Sequence, residues 1–367
     1  MKVRSLKSLL VAVLSAILLL GAQVVLANEA PAEHGEAPKK EGGLSFNPGE
    51  VIFEHILDNH DFHFFDLVGK NGEKHPVTLP LPVIIYSQEK GLVAFMSSKF
   101  EHGHASYLGY KLEEGKIHAE NEAEKIIDLS LTRNVVQMIL ALIILTVVLL
   151  RVAGKYKKGQ GVISAPKGSQ GLIEPIVGFV RDEVAKPNLG HKADRYLPYL
   201  LTVFFFILIN NIFGLIPGSA NVTGNIAFTM VLGVISFIVI MFSTNGHFWG
   251  HIFNPPVPAG IKLILVPVEI LGIFIKPVAL IIRLFANMVA GHIIIICLIS
   301  LIFIFNDIFG SAAGLGSSVI SVAFTIFIYF IEVLVAFLQA FIFTMLTAVF
   351  IGQAFEGEHA EGEHAAH

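Results

Sequence analysis

The two longest apolar stretches of the chain, 262–305 and 318–351, limit its fold more than any other feature. At 1.5 Å per residue, a helix over the first stretch would be about 65 Å long, roughly twice the thickness of a bilayer core of about 30 Å. Such a helix must tilt steeply or break, and Pro267 and Pro277 mark where a break would fall. Hydrophobic residues make up 54% of the 367 residues, which excludes an ordinary soluble protein. The sequence therefore predicts an all-α polytopic membrane protein with a long tilted helical hairpin.

The remaining sequence divides into a leader, a polar region, shorter spans and a tail. Basic residues precede an apolar run that ends at Ala27, so we expect a signal peptide at 1–27, with an uncleaved anchor helix as the alternative. Residues 28–131 are polar with strand-like runs, which predicts a small extracytoplasmic region with some β structure. The predicted segments are strands near 83–86 and 92–96, a membrane domain at 132–353 with about five spans near 135–150, 197–216, 226–242, 262–305 and 318–351, an interfacial amphipathic helix at 171–184, a Gly- and Ser-rich hairpin loop at 306–317, and an acidic tail at 354–367.

Charge outside the spans predicts the orientation of the chain. Four basic residues, Arg151, Lys155, Lys157 and Lys158, follow the first span closely, and short loops rich in Lys and Arg stay in the cytoplasm. We therefore expect an extracytoplasmic mature N-terminus and a cytoplasmic C-terminus, in the inner membrane if the source is a bacterium. The single cysteine, Cys297, excludes an intrachain disulfide.

Arg283 is the most informative polar residue, because it lies in the middle of the first long apolar stretch. Roughly twenty residues separate it from either end, which is too far for its side chain to reach the membrane surface. A charge at that depth costs about 2.5–3.5 kcal/mol on insertion scales and by default marks an ion or substrate pathway. Three other polar residues fall on the same helical face at 100° per residue: Glu269, Lys276 and Asn287.

Folding the two long stretches into a hairpin matches their polar residues by level. Glu332 and Gln339 share a face of the second stretch, and His292 faces away from Arg283 on the first. Counted from the turn, His292 pairs with Glu332, and Arg283 pairs with Gln339. An imidazole and a carboxylate can pass a proton at physiological pH, whereas a fixed cation opposes its direct passage. Two access routes separated by a charge need a mobile carrier, and a carboxylate on a rotating partner would serve.

Several of these residues also carry a resemblance to a known family. Lys276-Pro277, the run Arg-Leu-Phe-Ala-Asn-Met at 283–288, Ala-Gly-His at 290–292 and Leu-Gln-Ala-Phe-Ile-Phe at 338–343 resemble subunit a of the bacterial F-type ATP synthases. Asn211, the Leu-Ile-Pro sequence at 215–217 and Asn-Val-Thr at 221–223 are similar to it too, and the resemblance covers about 131–353.

The resemblance implies a stator function. Arg283 would face a ring of c subunits between two aqueous half-channels, with Asn287 and Gln339 beside it and Glu269 in the cytoplasmic half-channel. His292 and Glu332 match a pair that many bacterial members carry in the opposite order. The implied partners are the c-ring, a b-subunit peripheral stalk, the F1 sector indirectly, the lipid bilayer and protons, with Na⁺ left open.

Other classes of protein fit the sequence less well. A secondary ion-coupled transporter would also place charges at mid-membrane, but it usually has repeated halves, which we do not find. A membrane metalloenzyme would need clustered ligands, and His102 with His104, on one face of a strand, is the best metal candidate. We expect no cofactor, no metal site and no nucleic-acid partner, and we expect the chain on its own not to be an enzyme.

Overall fold

The structure is a computed structural model that describes residues 58–353, apart from 69–73, 104, 114, 122–123, 162–164, 167, 217, 245 and 254–257. The predicted signal peptide and the acidic tail lie outside the described residues. The strands are β1 (Asp61–Val68), β2 (Lys74–Pro80), β3 (Pro82–Ser87), β4 (Gly91–Met96), β5 (Tyr110–Glu113), β6 (Lys116–Ala119) and β7 (Ile126–Asp128). The α-helices are α1 (Arg133–Lys157), α2 (Ser169–Phe179), α3 (Lys186–Leu189), α4 (Ala193–Gly214), α5 (Ile226–Ser243), α6 (Gly246–Phe253), α7 (Ala259–Phe309) and α8 (Ser311–Gln353).

The β region consists of three small antiparallel sheets, β1-β2, β4-β3-β7 and β5-β6. Alternation in β3 places Val83 and Ile85 in a core with Phe100 and Tyr110. The predicted strands near 83–86 and 92–96 are confirmed as β3 and β4. The strand predicted around His102 is wrong, because Ser97–Gly103 form a 3₁₀ helix, and residue 104 is not among the described residues.

Backbone hydrogen bonds join the β region directly to the first membrane helix. The Leu131 N–H donates to the Pro82 carbonyl at 3.2 Å, and the Arg133 N–H donates to the Asn59 carbonyl at 3.0 Å. The Asn134 N–H donates to Oδ1 of Asp58 at 3.3 Å, at the start of α1. With 25 residues, α1 is about 37 Å long, which is enough to cross a bilayer.

Five helical segments in the described part of the chain are long and apolar enough to cross a membrane, as predicted: Arg133–Lys157, Ser169–Gly214, Ile226–Ser243, Gly260–Phe309 and Ser311–Gln353. The predicted interfacial helix forms α2 and the π-helical turn Val180–Ala185, which lead through α3 towards α4. The end of its apolar side packs inside the chain, since Val180, Val184 and Ala185 are fully buried against the helical core. Its charged side is exposed, where Asp182 pairs with Arg181 and Lys186.

The long hairpin differs from the prediction at its turn. The loop expected at 306–317 is wrong, because α7 continues to Phe309 and α8 begins at Ser311, with Gly310 between them. α7 is also unbroken at Pro267 and Pro277, which lie inside it. A helix of 51 residues would be about 77 Å long, so steep tilt is the remaining way to fit it to a bilayer.

The helical core lies where α4 packs against α8 and α5 packs against α7. Aromatic side chains fill it, including the fully buried Phe204, Phe228 and Phe343. Gly233 lets α5 approach α7, because a Cβ at that position would overlap the side chain of Ile281. This packing holds one side of α7 against the chain and leaves the other side exposed.

Candidate functional site

Arg283 lies on the exposed side of α7, whereas Leu280, Leu284 and Met288 are buried against the rest of the chain. No hydrogen bond or ion pair joins its guanidinium to another described residue. An arginine side chain stays protonated in proteins and carries five donors. The exposed face of α7 therefore carries a fixed cation, and the described part of the chain supplies no anion for it.

Small side chains surround Arg283 on the exposed side of α7. Ala286 and Ala290 are exposed on the same side of α7, together with Asn287, which lies one turn from Arg283. Small residues let another helix approach closely in a membrane, and an amide can donate and accept hydrogen bonds there. This face is therefore suited to close contact with a helix that brings a carboxylate to Arg283.

Glu269 and Lys276 line one cavity of about 600 Å³ between α5, α6, α7 and α8. They share a face of α7 because they are seven residues apart. Oε2 of Glu269 is buried and has no hydrogen-bond partner among the described residues, and Nζ of Lys276 lies 5.0 Å from the centroid of the Phe350 ring. The other lining residues include Phe237, Met241, Phe248, Gly272 and Gln353. The cavity thus gathers an acid and a base on the N-terminal side of Arg283.

A second polar site lies on the other side of Arg283 from the cavity, towards the hairpin turn. There Glu332 of α8 lies against α7. Its carboxylate packs against Gly291, where an added Cβ would overlap Oε1, and its Oε2 is buried without a hydrogen-bond partner among the described residues. Gly291 precedes His292, so Glu332 lies at the level of His292, in the arrangement that hairpin counting predicts. A carboxylate and an imidazole at one level form a site that can exchange protons.

Gln339 and Asn211 are buried between the level of Glu332 and that of Arg283. Gln339 is 4% exposed and shares a face of α8 with Glu332. Asn211 is fully buried on α4, and its Nδ2 donates to the Ala336 carbonyl at 3.1 Å. Oδ1 of Asn211 has no hydrogen-bond partner in the described part of the chain. Asn211 therefore links α4 to α8 at a point between Glu332 and Gln339. Its Oδ1 can accept a further hydrogen bond.

Gly214, the last residue of α4, lies in a tightly packed position. A Cβ at Gly214 would lie 3.1 Å from Oδ1 of Asn221 and 3.4 Å from Cε of Met288. Nδ2 of Asn221 donates to the Met288 carbonyl at 3.3 Å, and its Oδ1 accepts from the Gly224 N–H at 2.9 Å. The absence of a side chain at Gly214 allows α4, the turn after it and α7 to pack closely.

Sequence reasoning assigned no role to three residues that the structure brings to this region. Gly291 provides the space for Glu332, and Ser321 and Thr325 are buried hydroxyls with no hydrogen-bond partner among the described residues. The signal for Thr325 is its spacing, since Thr325, Glu332 and Gln339 follow one another at intervals of seven residues. Hydroxyls are common in membrane helices, so spacing alone does not distinguish them.

Comparison with known proteins agrees with the resemblance seen in the sequence. The family described as ATP synthase A chain matches residues 135–352, and a domain of unknown function matches residues 51–137. An ATP synthase subunit a 2 from Chlorobaculum tepidum is 40% identical over 333 residues, which cover 90% of this chain and 78% of the relative. An ATP synthase subunit a 2 from Chlorobium luteolum is 45% identical over 325 residues, which cover 87% and 79%. An ATP synthase subunit a from Chloroherpeton thalassium is 48% identical over 232 residues, which cover 62% and 67%. The chain therefore belongs to the ATP synthase A chain family, the family of subunit a in bacterial F-type ATP synthases.

Proposed function

We propose that this chain is the membrane stator subunit that couples proton passage to rotation of a c-ring. The observation that carries the proposal is the position of Arg283, which is exposed on α7, without a partner among the described residues, and flanked along the helix by two separate polar sites. On the N-terminal side are Glu269 and Lys276, and on the side of the turn are His292 and Glu332.

The arrangement supports a route in two halves. A proton that reaches His292 and Glu332 protonates a c-ring carboxylate, which becomes neutral and can move away from the stator into lipid. After rotation, a protonated carboxylate arrives at the cavity and releases its proton towards Glu269. The resulting anion is attracted to Arg283, and this cation blocks direct passage of a proton between the two halves.

The remaining polar residues have supporting roles in this proposal. Asn287 lies beside Arg283 on the exposed face and can hydrogen-bond the ring carboxylate. Gln339 lies near the Arg283 level on α8, and Asn211 offers a free acceptor between Glu332 and Gln339. Lys276 adds a basic side chain to the cavity that Glu269 lines.

The proposal includes an assembly and an orientation. The partners are the c-ring, a b-subunit peripheral stalk and, through the stalk, the F1 sector, which carries the ATP chemistry. The basic residues after α1 favour a cytoplasmic C-terminal end of that helix, so the Gly310 turn of the hairpin faces the extracytoplasmic side. The ion is a proton in this proposal, and the c-ring carboxylate site determines whether Na⁺ can replace it.

Substitution of Arg283 by Ala tests the proposal in membrane vesicles that contain the whole complex. We expect the variant to assemble but to lose ATP synthesis by about a hundredfold or more, because the ring carboxylate loses its fixed cation. Ile282→Ala is the matched control, since Ile282 is the adjacent exposed residue and carries no charge. Normal synthesis driven by a proton gradient in an assembled Arg283→Ala complex would refute the stator function.

A further inference from the structure

The sheet β4-β3-β7 has an outer face that is apolar at every position. Burial alternates along β3, so Val83 and Ile85 point into the β core and their neighbours point out of it. Strand pairing continues the outward set onto β4 and β7, since Tyr86 lies opposite both Leu92 and Ile127. The outward residues of the three strands are Pro82, Ile84, Tyr86, Leu92, Ala94, Met96 and Ile127.

Polar side chains of the same sheet point the other way, into the protein. The Ser87 hydroxyl donates to the Glu124 carboxylate, and Oδ2 of Asp128 lies 3.2 Å from Nε2 of His60. Ser130, which follows β7, is also buried. An antiparallel sheet with one face in water normally carries its polar residues on that face. This sheet has the reverse arrangement, so its outer face is unsuited to water.

No element in the described part of the chain covers the outer face. Leu92 is 66% exposed, and the exposed fractions of Tyr86, Met96 and Ile127 are 44%, 44% and 46%. A contiguous apolar patch of this kind is a mark of contact with another protein or with a membrane. The position of the face relative to the membrane helices distinguishes these two partners.

The outer face continues without a linker into the first membrane helix. The Leu129 N–H donates to the Ile84 carbonyl at 2.8 Å, and the Leu131 N–H donates to the Pro82 carbonyl at 3.2 Å. Both bonds extend the register in which β7 pairs with β3, so Leu129 and Leu131 prolong the outward row that begins at Ile127. Because α1 begins two residues after Leu131, the apolar row reaches a helix that is long enough to cross the bilayer.

Polarity returns at the end of the sheet farthest from α1. Tyr86 lies in the row farthest from α1, and tyrosine is enriched where membrane meets water. The next turn carries exposed polar residues, Gln88, Glu89 and Lys90. From Pro82 to Tyr86 the face is about 13 Å long. Apolar faces that lie in a membrane surface are buried about 5–10 Å deep, with their polar parts in water. The order of apolar rows, tyrosine and charged turn fits such a surface.

We propose that the outer face of β4-β3-β7 is inserted into the lipid leaflet on the side of the β region. The occupant is lipid because the face continues a membrane helix and because none of its residues has the charged or amide group that a protein interface uses for hydrogen bonds. The β region is then a membrane-bound domain and not one that projects freely into water. This inference is independent of the stator function.

Tryptophan fluorescence in vesicles tests the contact with lipid. The chain has one tryptophan, Trp249, so Leu92→Trp or Ile127→Trp in a Trp249→Phe background reports on the face alone. The full chain is reconstituted into phosphatidylcholine vesicles with or without bromine on the acyl chains. We expect both reporters to lose at least about half of their fluorescence in brominated lipid, like the positive control Leu140→Trp on the exposed side of α1. His118→Trp, exposed on β6, should lose little. Full fluorescence of both reporters in brominated lipid would overturn the proposal and leave a protein as the partner.

Two carboxylates on the face separate insertion from simple proximity to the membrane. Ala94→Asp combined with Met96→Asp places them there, and charges are strongly disfavoured among acyl chains. In the Ile127→Trp chain this change should abolish the loss of fluorescence in brominated lipid. Lys116→Asp combined with His118→Asp is the matched control on β6 and should not, and all four positions are exposed, so the β core does not depend on them. Equal loss of fluorescence with and without carboxylates on the face would overturn insertion, because α1 alone would then hold the reporter near lipid.

Discussion

Glu332 has its position because residue 291 has no side chain. An added Cβ at Gly291 would overlap Oε1 of Glu332, so the carboxylate occupies space that any other residue would fill. Neighbouring helices in a membrane approach most closely at such small residues. The acid is thereby held beside the backbone of α7, one residue from His292.

Gly291→Ala should therefore impair proton conduction while the complex still assembles. Inserting a methyl group into a filled space costs about 1–3 kcal/mol, and here the Glu332 carboxylate must move to relieve it. We expect passive conduction to fall by about tenfold or more, and the double variant Gly291→Ala with Glu332→Asp to recover part of it, because aspartate is one methylene shorter. Gly260→Ala is the control, since a Cβ there meets nothing within 4 Å. Unchanged conduction in Gly291→Ala would contradict this packing.

Charged residues could be predicted from the sequence at this scale, and the small residues that position them could not. Arg283, Glu269 and Glu332 interrupt apolar runs, so the cost of placing them in lipid makes them conspicuous. Gly291 and Thr325 are ordinary components of membrane helices, and their importance depends on which atoms the neighbouring helix brings to them. That information exists in the packing of α7 on α8 and not in either segment alone.

At the scale of a whole element, the hairpin turn also shows that sequence composition does not determine how segments pack. The Gly- and Ser-rich composition of 306–317 predicts a loop, yet these residues are helical except for Gly310. Their small size serves contact between the helices, because a Cβ at Gly314 would lie 2.8 Å from Cβ of Asn306. Composition alone does not distinguish a flexible loop from a close helix contact. The helical spacing of polar groups is the more reliable guide, since it places Glu269 and Lys276 on one face of α7, and both line the same cavity.

Gly310 should tolerate no other residue without a loss of stability. Its φ of 84° and ψ of 174° lie in a region that is essentially restricted to glycine, and replacement there costs about 1–3 kcal/mol. A Cβ at Gly310 meets nothing within 4 Å, so the cost of Gly310→Ala is in the backbone alone. We expect a lower thermal unfolding temperature for the purified complex. Gly316→Ala, in the helical part of the same hairpin, should have no such effect, and equal unfolding temperatures for the two variants would refute this account of the turn.

The β region should lose stability in acid through Glu124. A hydrogen bond from Ser87, with a second from Tyr110 and the charge of Lys90, lowers the pKa of Glu124 below its ordinary value of 4.5. A lowered native pKa stabilises the fold above the pKa of the unfolded chain, and this stabilisation disappears as the pH falls through the native pKa.

Hydrogen exchange of the β3 and β7 amides in the full chain measures this effect. Protection factors should fall as the pH drops below 4.5 in the natural protein, and Glu124→Gln should be less protected at pH 7 and depend less on pH. Glu120→Gln provides the control, because Glu120 is an exposed acid of the same region. If Glu124→Gln kept the pH dependence of the natural protein, another group would have to be responsible.

At the scale of the whole molecule, the helical core determines the separation of the two polar sites. α5 and α6 close one side of the cavity that holds Glu269, whereas α8 brings Glu332 to α7 near the turn. Both sites thus lie on one long helix with Arg283 between them. The order Glu269, Arg283, His292 is fixed by sequence, but the side of the helix that remains open for a partner is fixed by packing against α5, α8 and the turn after α4.

The two proposed half-channels make a quantitative prediction for combined substitutions. In the proposed route a proton passes both Glu332 and Glu269, so the resistances of the two steps add. If Glu332→Gln and Glu269→Gln each lower passive conduction by about tenfold, the double variant should conduct about twentyfold less than the natural complex. Independent multiplicative effects on one shared step would instead give about a hundredfold loss. Glu174→Gln on α2 is the control, because this acid also has a buried oxygen without a partner among the described residues but lies outside the hairpin. A loss near a hundredfold in an assembled double variant would show that both acids act on one step, and would exclude two separate routes that meet at the ring.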